Sequence, residues 1–153
     1  MEQLLEYRRQ LLARYEKAAR ELCQAVEART DPTVPIEGSE WNAHQLAVHV
    51  RDAEKLVYGL RVRRTLEEEN PLFKNFDGDA WMIEHYDPNE QLASVLNELL
   101  ASVQETLARL KELPSEAWAR TGRHETYGEG FTTQTWAERG LAHLEEHLKT
   151  VNQ

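Results

Sequence analysis

The chain has 153 residues, of which 41% are hydrophobic and 29% are charged, and its formal net charge is −9. We expect one soluble globular domain over residues 1–153. The negative charge and the lack of a long apolar run argue against nucleic acid and membranes as partners. The polar N-terminal segment and the single cysteine, Cys23, predict a cytoplasmic protein.

Four long segments carry apolar residues at the three-to-four spacing of amphipathic helices. The first runs from Glu2 to about Arg29, and the second from about Glu40 to about Glu68. The third is predicted from Asp87 to about Glu112, and the fourth from about Gln134 to Val151. Alternation with a period of two, the pattern of a strand, is nowhere sustained. The sequence therefore predicts an all-α fold of four helices.

Two connections between these helices are irregular. The first, from Asn70 to Asp87, contains proline, glycine and several aromatic residues, and its length is typical of a crossover or a functional loop. We expect it to be ordered, with one short helical turn, and to lie over one end of a bundle. The second spans Gly122 to Gly130 and follows a single predicted helical turn at Ser115–Trp118.

Three histidines are candidate metal ligands. His143 and His147 are four residues apart on the predicted fourth helix, so their side chains lie on one face, at the flank of its apolar stripe. His49 lies within about 60° of Leu46 on the inward side of the second helix. A solvated helix face explains the pair equally well, and a buried core histidine explains His49. Periodicity leaves the metal site and these alternatives about even.

Other candidate site residues have weaker signals. Asp52, one turn beyond His49, can orient that imidazole or a bound water, or else be an exposed helical aspartate. Trp41, His124 and Tyr127 either line a pocket at the bundle end or pack within their own loops. Glu54 is expected to project away from the site.

The order and spacing of the motifs resemble the DinB-like (DinB/YfiT) superfamily of four-helix-bundle metalloenzymes, over nearly the whole chain. The motifs are short: Glu40-Trp41, His49 with Asp52 and Glu54, Trp81 in the crossover, Leu113–Trp118, His124 with Gly128, and His143-x-x-x-His147. The resemblance implies a four-helix bundle of up-down-down-up topology with a long crossover between helices two and three. It also implies a homodimer and a divalent metal held by His49, His143 and His147.

A site of three imidazoles leaves a coordination position open, as catalytic metal sites do. The resemblance implies a thiol-dependent S-transferase or a hydrolase acting on a small electrophile, with a low-molecular-weight thiol as a candidate partner. Zn²⁺ and Ni²⁺ are the metals we expect first, with Mn²⁺ or Fe²⁺ as alternatives. The alternative hypothesis is a non-catalytic bundle that serves ligand binding or a stress-related interaction.

Overall fold

The computed structural model describes all 153 residues of the chain. The helices are α1 (Glu2–Glu27), α2 (Ala43–Ala53), α3 (Gly59–Glu67), α4 (Gly78–His85), α5 (Leu92–Lys111) and α6 (Thr133–Val151). A π-helical turn at Glu54–Tyr58 joins α2 to α3, and a 3-10 turn spans Ser115–Ala119. The strands are β1 (Leu72–Phe73), β2 (Thr121–His124) and β3 (Gly128–Thr132).

The long helices α1, α2 with α3, α5 and α6 form a four-helix bundle, and polar contacts between them give their directions. Tyr7 hydrogen-bonds to Glu138, and further along both helices Arg14 pairs with Glu145, so α1 and α6 are parallel. The remaining contacts make α3 parallel to α5 and α1 antiparallel to α5: Lys55 with Glu98, Glu67 with Arg109, Glu16 with Gln104, and Cys23 with Leu96. This is the up-down-down-up order.

The four helices share one hydrophobic core of 29 buried residues. Leu22, Leu46, Leu99 and Leu144, one from each long helix, are all fully buried in it. Burial of an apolar stripe on each helix is the main stabilising contribution to such a bundle. The core also fixes the relative positions of the helices that carry the histidines. None of the helices combines the length and apolar composition needed to cross a membrane.

Side-chain caps set the start of both histidine-bearing helices. The Asn42 side chain accepts a hydrogen bond from the Gln45 amide, and the Gln45 side chain accepts one from the Asn42 amide, which closes a capping box on α2. Thr132 caps α6 by accepting a hydrogen bond from the Thr135 amide at 3.0 Å.

The π-helical turn shifts the inward face of the second helix by one residue. A Cβ at Gly59 would lie 2.7 Å from the Glu54 carbonyl oxygen, so only glycine permits this close approach. Beyond the turn, Arg61, Val62 and Thr65 are buried, whereas Leu60 is half-exposed. Turns of this kind are frequent at functional sites.

The prediction of a purely helical fold is wrong in one respect, because the two irregular connections form a three-stranded sheet in the order β1-β2-β3. β1 is parallel to β2, and β2 is antiparallel to β3. The strands have two, four and five residues, which is too short for a period of two to stand out in the sequence. The sheet joins the crossover to the segment that leads into α6.

Two helix boundaries within the connections also differ from the predictions. The crossover contains α4, an eight-residue helix, where one helical turn was predicted. The segment at Asp87 forms a separate turn in which the Glu90 amide donates to the Asp87 carbonyl, so α5 begins only at Leu92. Aspartate followed by proline begins many turns as well as helices, which explains the early predicted start.

Candidate metal centre

The three histidines that the sequence singles out meet between α2 and α6. His143 Nε2 lies 3.1 Å from His49 Nε2 and 3.1 Å from His147 Nε2. One ring nitrogen of each histidine lies within 4.8 Å of the others. The four-residue spacing on α6 stacks His143 and His147, and the antiparallel neighbour α2 brings His49 to them. The site is therefore built on rigid helices and not on loops.

The pKa values of the three imidazoles are lowered, so all three are neutral near pH 7. Burial is the main cause at each. It lowers the pKa of His49 to about 4, with a further contribution from His147. It lowers the pKa of His143 to about 2, with contributions from His147 and His49, and it lowers the pKa of His147. Neutral imidazole is the form that binds a metal ion.

The spacing of the nitrogens fits a shared ion better than hydrogen bonds. Two nitrogen ligands that each lie about 2.1 Å from one ion are about 3.0 to 3.4 Å apart, depending on the coordination angle. A single imidazole nitrogen either donates one proton or offers one lone pair. His143 Nε2 has two nitrogen neighbours at 3.1 Å, so one of the two contacts is left without a matching donor or acceptor.

Neighbouring groups hold the rings in place. Trp41 packs on His49 with ring centroids 4.6 Å apart, and Tyr58 packs on His143 at 5.0 Å. Gly78, the first residue of α4, lies against His49 so closely that a Cβ there would be 3.0 Å from His49 Cε1. The crossover thus contributes to the position of the α2 histidine.

A cavity of about 250 Å³ opens beside the cluster, and His49 and His143 are among its lining residues. A larger cleft of about 460 Å³ is lined by Trp41, Asp79 and Tyr86 and by none of the three histidines. We assign the site to the smaller cavity, because two of the three histidines line it.

A match to a family model shows which protein family the chain belongs to. A model of the DinB superfamily matches residues 3–151. The chain belongs to the DinB superfamily. This confirms the resemblance drawn from the motifs.

The bundle of this DinB-superfamily chain is similar to a solved structure, that of YfiT from Bacillus subtilis, with a TM-score of 0.85 and 24% sequence identity. The alignment covers 96% of this chain and 85% of that chain. YfiT is described as a probable metal-dependent hydrolase with an unusual four-helix bundle topology. A search of curated proteins found no match to this chain.

The structure does not bring Asp52 to the histidines. Its Oδ1 accepts a hydrogen bond from Arg51 Nε at 2.9 Å, and its Oδ2 accepts one from Trp81 Nε1 at 3.1 Å. No hydrogen bond joins Asp52 to His49. The residue follows His49 by three positions, which places it on a neighbouring face that contacts α4 and not the ring.

The three predicted pocket residues separate into two groups. His124 and Tyr127 line the cavity beside the cluster, and their rings stack at 4.6 Å. The backbone amides of Thr126 and Tyr127 donate to His124 Nδ1 at 3.1 and 3.3 Å. Trp41 lines the other cleft but also contacts His49.

Several polar residues of the interior have no clear signal in the sequence. Glu54, expected to project away, is 1% exposed and accepts a hydrogen bond from the Tyr15 hydroxyl at 2.5 Å. Burial raises the pKa of Glu54 to about 7, and the Tyr15 hydrogen bond partly opposes this shift. Tyr58 and Arg61 reach the cavity because the π-helical turn alters the helical phase, which a uniform period cannot predict.

Proposed function

We propose that this chain is a divalent-metal-dependent hydrolase or thiol-dependent S-transferase that acts on a small electrophile. His49, His143 and His147 are its metal ligands in this proposal. The observation that carries it is the convergence of three neutral Nε2 atoms beside a cavity, at separations that suit one ion. The description of YfiT as a probable metal-dependent hydrolase supports the same assignment.

The donor set favours a catalytic over a structural site. Structural zinc sites are closed by four protein ligands, whereas catalytic sites keep a position for water or substrate. No carboxylate or thiol joins the three histidines in the cluster. Imidazole ligands suit Zn²⁺ and Ni²⁺, with Mn²⁺ or Fe²⁺ as alternatives.

A bound ion would supply Lewis acidity that makes a water or a thiol nucleophilic near neutral pH. The residues of the chain do the rest. His49, His143 and His147 stay neutral because they are buried, and so they keep their lone pairs for the ion. Trp41 and Tyr58 restrain two of the rings. A cavity of about 250 Å³ admits a water or a low-molecular-weight thiol together with a small electrophile.

Metal analysis of protein purified without a histidine tag tests the proposal. We expect about one divalent ion per chain in the native protein, or after incubation with Zn²⁺ or Ni²⁺ and removal of the excess. His143→Ala removes the central ligand and is expected to abolish stoichiometric binding. His85→Ala is the matched control, because His85 is exposed and lies outside the cluster.

Cobalt substitution tests whether a coordination position is open. The visible spectrum of the Co²⁺ protein is expected to change when azide is added, because azide takes the free position. A native protein that binds no metal would leave the non-catalytic alternative, a bundle for ligand binding or stress-related interaction. A metal whose spectrum ignores azide would indicate a structural site. The predicted homodimer is a separate proposal, which light scattering of the purified protein tests.

A further inference from the structure

The cavity beside the histidine cluster is rich in cations and has no acidic residue. Arg61 and Arg139 both line it, and none of its 13 lining residues is aspartate or glutamate. The whole chain has 27 acidic residues and a net charge of −9, so the positive charge of this cavity lining is opposite in sign to the net charge of the chain. Such a concentration of positive charge attracts anions.

Arg61 is buried but lacks a carboxylate partner. It is 8% exposed, and its one hydrogen bond to the protein runs from Nη2 to the Lys74 carbonyl oxygen at 2.9 Å. Its guanidinium lies 4.7 Å from the Trp136 ring centroid, which restrains it by a cation–π contact. A guanidinium has five N–H donors, so four of them have no protein acceptor. By contrast, Arg63 and Arg64 on the same helix both pair with glutamates.

Three further residues with N–H donors line the same cavity. Arg139 makes no hydrogen bond or ion pair and lies over the Phe131 ring at 5.2 Å. Trp136 Nε1 is buried and has no hydrogen-bond partner. Neutral His124 accepts backbone hydrogen bonds at Nδ1, so its proton is on Nε2, which has no protein partner. Arg61, Arg139 and His124 therefore carry N–H donors at the cavity for which the protein supplies no acceptor.

We propose that Arg61 and Arg139 bind an oxyanion group of the substrate, a carboxylate or a phosphate, and so hold the reacting end of the molecule near His49 and His143. The assignment rests on the proposed function for the role of the histidines. The planar fork of a guanidinium matches the geometry of both oxyanions. A volume of about 250 Å³ equals that of about eight waters, which restricts the ligand to a small molecule.

Anion binding to the metal-free protein tests this assignment without any activity assay. The metal is removed by a chelator, the chelator is dialysed away, and the protein is titrated with succinate, with phosphate and with neutral succinamide at constant ionic strength. The readout is the NMR signal of the Trp136 indole N–H. We expect a saturable shift with at least one of the two anions and none with succinamide. Succinate alone would indicate a carboxylate substrate, and phosphate alone a phosphate ester.

Two variants localise the binding. Arg139→Gln is expected to weaken anion binding about tenfold, because a charge-assisted hydrogen bond is lost. Arg139 is exposed, so this variant is expected to fold even if an Arg61 variant does not. Arg9→Gln is the matched control, because Arg9 is an exposed α1 residue that pairs only with Glu6. It is expected to leave the anion affinity unchanged.

The outcomes separate the two proposals. A protein that takes up metal but shifts with no anion, or whose anion affinity falls equally in Arg9→Gln and Arg139→Gln, would overturn the oxyanion site and leave the proposed function standing. A protein that binds anions through Arg139 but takes up no metal would keep the oxyanion site and overturn the proposed function.

Discussion

The helix formed by α2, the π-helical turn and α3 packs against α5 on one side and α6 on the other. We call these two interfaces the α5 seam and the α6 seam. They differ in whether a buried arginine has carboxylate partners. In the seam with α5, Arg51 is 8% exposed and pairs with Asp52 at 2.9 Å, with Glu98 at 3.2 Å and with Glu90. In the seam with α6, Arg61 is also 8% exposed but has no carboxylate partner. Arg61 lines the same cavity as His143 of α6.

This difference indicates that the α5 seam stabilises the fold, whereas the α6 seam has groups that can bind a ligand. A buried charge is costly unless a partner of opposite charge and hydrogen bonds compensate it. The α5 seam supplies that compensation within the chain. The α6 seam leaves cationic donors and imidazole lone pairs without partners, and a protein retains such groups at sites where a ligand completes them.

The largest effect is expected at Glu54 in the π-helical turn, which has the Tyr15 hydroxyl of α1 as its partner and no cation. The folded pKa of Glu54 is raised from 4.5 to about 7, so the unfolded chain releases its proton first as pH rises. The stabilising effect of the protonated carboxyl is present below about pH 4.5 and lost as pH rises through about 7. Glu54→Gln cannot ionise and keeps an acceptor for Tyr15. We expect it to be more stable than the native chain by on the order of 3 kcal/mol at pH 8.

Urea unfolding of the metal-free proteins at pH 5 and pH 8 measures this difference. Because both proteins contain the same histidines, the titration of the histidines cancels when the two stability differences are compared. The same pH dependence in both proteins would mean that Glu54 keeps an ordinary pKa in the fold. Ionised Glu54 would then not be an uncompensated buried charge.

A pair of substitutions tests the two seams directly. Arg51→Met leaves Asp52 and two glutamates without their cation and is expected to lower the free energy of unfolding by about 2 kcal/mol, a value reduced because two of these carboxylates are partly exposed. Arg61→Met removes a cation that has no carboxylate partner and is expected to cost less than about 1 kcal/mol. Urea unfolding at pH 7 measures both. Equal losses would contradict the distinction between the seams.

The sequence predicts the bundle well because helix phase, caps and prolines are local signals. His143 and His147 share a face by their spacing alone. The Asn42 cap sets the residue at which the helix that bears His49 begins. The meeting of His49 with the pair needs the relative position of two helices distant in the sequence. The family resemblance predicted that meeting, whereas periodicity left it undecided.

The rest depends on interactions that a single helical period does not contain. The π-helical turn at Glu54–Tyr58 moves Arg61 to the inward face, although Arg61-Val-Arg-Arg64 has the pattern of a solvated helix end. Glu54 is buried because Tyr15, on another helix, supplies a hydroxyl. The short strands form only because β1 and β2, 48 or more residues apart in the sequence, meet in the folded chain.

A smaller effect is expected at Gly78, where the crossover meets the α6 seam. A side chain at this position would displace the His49 ring, since a Cβ would lie 3.0 Å from His49 Cε1. Under the proposed metal site, Gly78→Val is expected to weaken Zn²⁺ binding about tenfold, because a displaced ligand no longer matches the ion. Competition with a chromogenic chelator measures the affinity. Ala80→Val, at an exposed position of the same helix, is the control, and equal losses in both variants would contradict direct contact.

The smallest effect is expected at Asp52, which pairs with Arg51, the buried cation of the α5 seam, although it lies one turn from a proposed metal ligand. Both of its oxygens are engaged, by Arg51 and by the Trp81 indole N–H. Asp52→Asn is therefore expected to lower stability by about 1 kcal/mol and to change Zn²⁺ affinity by less than about threefold. Loss of a carboxylate that orients a ligand typically weakens metal binding by about 10- to 100-fold. A loss of that size in Asp52→Asn, absent from Trp81→Phe, would mean that Asp52 acts on His49 through water and that the two seams share a residue.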